Sequence, residues 1–124
     1  MTHLYWGELH NHNEIGKGQG SLERSYEIAR SHLDFYAFTP HTRQGERIGA
    51  ATNDVVIANW EALQQAAAEH NTPGEFTTFL AYEWQSNAWG HVHVVYLDDH
   101  QPLHWAATLE ELVDHFRSQR AILV

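Results

Sequence analysis

The chain contains no cysteine, which excludes disulfides, thiolate chemistry and cysteine-held zinc and leaves the redox state of its compartment open. Cations are scarce: seven Lys+Arg stand against sixteen Asp+Glu, a net charge of −9 with His neutral. Such a chain suits nucleic acid poorly, because that affinity comes mostly from neutralising phosphates. There is no basic run, and no apolar stretch approaches the roughly 20 residues a membrane span needs. The N-terminus lacks a charged-then-apolar leader. These absences point to a soluble, cytoplasmic protein that binds neither nucleic acid nor membrane.

What is present is a core and a surplus of histidine. With 124 residues, 43% of them hydrophobic and 12% aromatic, the chain suits one domain over residues 1–124. Eleven of the residues are His, several times the usual share. Histidine is the commonest metal ligand and titrates near neutral pH, so position has to decide what the surplus means.

The apolar pattern alternates between strand and helix. Leu4–Leu9 reads as a strand running into a glycine-containing loop (Gly16, Gly18, Gly20). Ser21 caps a helix carrying Leu22, Tyr26 and Ala29, up to about His32. Leu33–Thr39 reads as a second strand ended by Pro40, followed by a polar loop with Gly45 and Gly49. Asn53 or Asp54 opens a helix with Val56, Trp60, Leu63 and Ala67 on one stripe, closed by Asn71, Pro73 and Gly74. Strands follow over Phe76–Trp84 and His91–Leu97. Thr108 and Glu111 have capping-box spacing ahead of a helix bearing Leu109, Leu112, Val113 and Phe116. Ala121–Val124 closes the series as a strand. The pattern predicts an α/β fold with a mainly parallel sheet and flanking helices, in which chemistry gathers at the C-terminal ends of the strands.

Four segments deliver His or Glu to that edge. His10 and His12 follow the first strand, and in extended chain residues i and i+2 face the same way, so both imidazoles can converge on one ion. His41 ends the second strand, Glu83 ends the third, and His91 and His93 sit just beyond it. Imidazole and carboxylate together suit Zn, Mn or Fe, and such a set can hold more than one divalent ion. Each piece alone has a plainer reading: an isolated His-x-His is more often an ordinary surface or core pair, and His91/His93 also fit a solvated edge strand. It is the joint placement that points to metal. His3, His32, His70, His100, His104 and His115 show no partner pattern and read as surface residues. Lys17 and Arg43 follow the ligand segments and can reach a phosphate oxygen, though each also reads as a solvated loop charge.

Gly7-Glu8-Leu9-His10-Asn11-His12, then Leu33-Asp34-Phe35-Tyr36-Ala37-Phe38-Thr39-Pro40-His41, resembles the opening of the PHP (polymerase and histidinol phosphatase) superfamily. Leu80-Ala81-Tyr82-Glu83-Trp84 followed by Gly90-His91-Val92-His93-Val94-Val95 is similar to its next motif, in the form of a bacterial branch that is phosphoesterase-like. The likeness covers roughly residues 5–97. It implies a distorted seven-stranded (β/α) barrel, here its first half, holding one to three metal ions. It also implies metal roles for His10, His12, His41, Glu83 and His91 or His93, with Glu83 bridging two ions, and catalytic roles for Glu83 and His41.

The sequence departs from that family at three points. Pro40 stands where Asp usually precedes the second-motif His, the loop after His12 offers only Glu14 and Gln19, and the later ligand motifs would lie past residue 124. A full barrel needs about 250 residues, so the expectation is an incomplete PHP-like domain with an open side through which copies associate as a homo-oligomer. The function expected is metal-dependent hydrolysis of a small phosphorylated substrate. The alternative is a non-catalytic metal-binding half-domain. An amidohydrolase, whose barrels also begin with His-x-His, fits less well, because those enzymes commonly need a carboxylated strand lysine and Lys17, in a predicted loop, is the only lysine.

Overall fold

The computed structural model describes residues 2–43 and 51–124. The elements in chain order are β1 (Gly7–Glu8), α1 (Leu22–Arg30), β2 (Phe35–Phe38), β3 (His41–Arg43), α2 (Ala51–His70), β4 (Thr77–Ser86), β5 (Gly90–Tyr96), α3 (Leu109–Phe116) and β6 (Ala121–Leu123). The predicted loop around Gly45 and Gly49 lies outside the described residues. The predicted caps at Ser21 and Thr108 form: Ser21 accepts from the Arg24 amide and Thr108 from the Glu111 amide, each satisfying an amide that the first helical turn leaves unpaired, whereas Asn53 and Asp54, predicted to open the second helix, lie inside α2, which already includes Ala51. The Glu111 carboxylate reaches back to the amide of Ala107.

The sheet order is β1-β2-β4-β5-β6, with β3 also against β4. β1–β2, β2–β4 and β3–β4 are parallel, whereas β4–β5 and β5–β6 are antiparallel. The expectation of a mainly parallel sheet is thus corrected to a mixed, open one. The reason is the connection between β4 and β5: three residues, Asn87 to Trp89, can join antiparallel strands but cannot make the crossover that a parallel pair requires.

β2 and β3 run along β4 in one continuous register, Phe38 opposite Leu80 and His41 opposite Glu83. They are one strand interrupted at Thr39-Pro40, where proline has no amide to donate. The Thr39 amide turns away to the carbonyl of Asn11, and the Glu83 amide reaches the Pro40 carbonyl.

Side-chain alternation sorts the two sheet faces. Tyr36, Phe38, Leu80, Tyr82, Trp84, Val94 and Tyr96 join the main core with Tyr26 of α1, Val56, Trp60 and Leu63 of α2, and Leu112 and Phe116 of α3. Residues of opposite parity, Ala37, Ala81 and Val95 with Leu9 and Phe79, form a smaller cluster on the other face. The connection from β5 to α3 is pinned by aromatic donors: Trp60 Nε1 to the Gln101 carbonyl, Tyr96 OH to Pro102, Tyr82 OH to His104 and Trp84 Nε1 to Ala106. No helix among the described residues is long and apolar enough to cross a membrane.

Candidate metal centre

Register dictates the site. His41 pairs with Glu83 across β3–β4, and Glu83 pairs with His93 across β4–β5, so the three stand in one row across the sheet. They share parity with Ala37, Ala81 and Val95, which places them on the face opposite the helix-covered core. His91 lies two residues before His93 on the same face, opposite Gln85. His10 and His12 arrive from the segment after β1.

That segment is clamped through the residue between them. Asn11 donates its amide to Thr39 Oγ1 at 3.0 Å, and its carbonyl accepts from the Thr39 amide at 2.9 Å and the Thr39 hydroxyl at 3.1 Å. Its side-chain oxygen accepts from Tyr36 OH at 2.6 Å. With Asn11 fixed, its two neighbours project toward Glu83. Asn13, fully buried, extends the clamp by accepting from the Ile15 amide and donating to Ser25 Oγ.

Glu83 is buried, its side chain 1% exposed, and imidazole nitrogens surround it. Oε2 lies 3.1 Å from His41 Nδ1, 3.3 Å from His12 Nε2, 3.5 Å from His10 Nε2 and 4.0 Å from His93 Nε2. His91 Nδ1 is 2.5 Å from Oε1. The two ring nitrogens His10 Nε2 and His12 Nε2 are 2.9 Å apart, and the His12 and His41 rings stack at 4.3 Å. For a tetrahedral ion with bonds of about 2.0–2.1 Å, ligand atoms sit about 3.3 Å from one another. His41, His12 and His10 stand near that distance from Oε2, and His93 stands further off.

Hydrogen bonding leaves the same atoms over. Both Glu83 oxygens, His41 Nδ1 and His93 Nε2, with His12 Nδ1 on the far side of its ring, are buried without a properly directed partner, although their neighbours lie close. Buried polar atoms are seldom left so, and a cation between them would satisfy the set at once. Two groups of donors suit an ion, His10–Glu83–His93 and His12–His41–Glu83, and Glu83 belongs to both. Burial, the largest influence, holds His12, His41 and His93 below the ordinary imidazole value against the opposing pull of the Glu83 carboxylate. Neutral rings keep the lone pairs that a metal needs.

Residues 21–117 match a family described as protein of unknown function, DUF3604. The chain belongs to this family. Within the DUF3604 match lie His41, Glu83, His91 and His93, while His10 and His12 precede it. Comparison with curated proteins finds no match.

All six predicted ligands of this DUF3604 chain therefore come together. His93 stands in one ligand group, whereas His91 stands in neither and meets the other carboxylate oxygen. The remaining histidines are elsewhere: His70 stacks on Tyr26 and meets Glu23, and His104 stacks on His115. Arg43 is the last residue of β3. The supporting residues Asn11, Thr39 and Tyr36 escaped the reading of the sequence. Their only signals were an Asn enclosed by two His and a Thr before Pro, neither of which specifies a partner.

Proposed function

We propose that this chain is a metal-dependent hydrolase of the PHP type, acting in the cytoplasm on a small phosphate ester, with its open sheet corresponding to the first half of a PHP barrel. One observation carries the reading: a buried carboxylate whose oxygens lack directed hydrogen bonds, ringed by imidazoles from three separate segments. His12, His41 and Glu83 would hold one ion, and His10 and His93 with the same Glu83 a second, with His91 orienting the carboxylate through Oε1. A bound divalent ion would polarise a phosphoryl oxygen and make hydroxide available near neutral pH. The chain's own part is to keep His12, His41 and His93 neutral by burial, to fix Glu83 between them, and to hold His10 and His12 in place through Asn11.

A second reading is favoured by the charge count. Glu83 is the one carboxylate in either ligand group among the described residues, and a single negative charge offsets two divalent ions poorly. That favours a single ion and a metal-binding module without turnover. Metal analysis with hydrolysis of a generic phosphate ester separates the two. The hydrolase reading expects bound metal, lost in a His10→Ala/His12→Ala variant, with turnover above that of free ion. Metal without such turnover favours the second reading, and no metal even after reconstitution removes both.

A further inference from the structure

We propose that Lys17 holds an anionic oxygen of a phosphate monoester at the mouth of the His/Glu cluster, positioning that substrate in preference to a diester. The inference rests on the hydrolase reading above and deepens it.

Lys17 is flanked by two glycines that each abut a cluster residue. A Cβ on Gly16 would lie 3.8 Å from the His41 amide nitrogen, and one on Gly18 would lie 2.6 Å from the His12 carbonyl carbon. Gly16 has φ +124°, a conformation that side chains rarely adopt, and Gly18 has no room for a methyl group. The loop is further tied by the Gly18 amide to the Asn13 carbonyl at 2.7 Å and by the Glu14 amide to Gly20. The exposed Lys17 is thus carried on a fixed turn seated against the backbone of His12 and His41.

The other cations with described side chains are engaged. Arg24 pairs with Glu27, Arg117 with Asp114 and Arg120 with Asp98, while Arg30 bonds to Thr72 and the His70 carbonyl. Among the described side chains, Lys17 is the one cation held by neither an ion pair nor a hydrogen bond. A monoester offers one oxygen to the cluster and a second charged oxygen to the ammonium. A diester has one negative charge to share between them.

Because Lys17 is the only lysine, acetylation there can be read on a single peptide by mass. Inorganic phosphate should slow acetylation of Lys17 several-fold relative to sodium chloride of equal ionic strength, with metal content measured on the same sample. Lys17→Gln should raise KM for p-nitrophenyl phosphate about tenfold with kcat little changed, the size of one lost charge-assisted contact. Lys17→Arg should restore most of it, and KM for bis(p-nitrophenyl) phosphate should move less than about threefold. Equal acetylation rates in phosphate and chloride, in protein that holds metal, overturn the role of Lys17 and leave the hydrolase reading standing. Absence of metal overturns that reading instead; phosphate protection then still supports Lys17 as an anion contact, and its lack overturns this as well. An equal rise in KM for both esters overturns the monoester preference.

Discussion

A carboxylate buried as fully as that of Glu83, with both oxygens lacking directed partners, should destabilise the metal-free protein. Removing its charge should act in two opposite directions. Glu83→Gln should raise the unfolding temperature of the chelated protein while cutting metal affinity by more than the about 10–100-fold typical of losing an outer-shell partner. His91→Ala should cost less metal than Glu83→Gln, because His91 stands in neither ligand group. Thermal unfolding under chelator and metal titration of both variants check this, and equal metal losses would count against Glu83 as the shared ligand. The same surroundings set a pH dependence. Burial holds His12, His41 and His93 below the unfolded value of about 6.5, so the unfolded chain takes up protons first as pH falls. Metal-free stability should be intact above about pH 6.5 and decline below it, with metal affinity declining in the same window as protons compete for the ring nitrogens. Unfolding profiles between pH 5 and 8 that are flat would contradict this.

Among the elements, the interrupted strand does the most for the site. Proline at residue 40 interrupts the ladder between β2 and β4, and beside it the Thr39 amide and hydroxyl, on the opposite edge of the strand, grip Asn11 between the two leading histidines. Thr39→Val keeps the shape and removes both hydroxyl bonds. It should destabilise the chain by about 1–3 kcal/mol, the cost of leaving buried groups unpaired, and weaken metal binding about 10–100-fold. Chemical denaturation and metal titration would show it; unchanged affinity would mean that His10 and His12 are held by other means. This clamp also marks where the sequence stops being readable. Helical spacing in α1 and α3, with the Ser21 and Thr108 caps, follows local rules and is visible in the chain. So is the delivery of His10, His12, His41, Glu83, His91 and His93 to one edge, since strand order and period place them there. The role of Thr39 was not visible, because its meaning lies in hydrogen bonds to Asn11, 28 positions away. Strand direction was misjudged as mainly parallel for a related reason: apolar runs look alike in either direction, and only the three-residue turn before Gly90 distinguishes them.

At the scale of the whole molecule, the three helices share one face of the sheet, and the candidate site shares the other with an apolar cavity of about 540 Å³. That cavity is lined by Tyr5, Leu9, Phe35, Phe79, Val95 and Ile122 among others, beside Leu4 and Trp6, which are also exposed. β1 and β6 stand at the two ends of the strand order. Exposed apolar surface next to bare strand edges promotes association, so the 124-residue chain should bind an apolar-surface dye and sediment with a concentration-dependent mass. A dye-silent monomer at all concentrations would contradict this. Whether Glu83 and its histidines hold a divalent ion is read by anomalous scattering from crystals grown with Mn or Zn. A peak is expected about 2.0–2.2 Å from a Glu83 oxygen and from the ring nitrogens of His12 and His41. A peak elsewhere with none beside Glu83, or no peak in metal-saturated crystals, would contradict it.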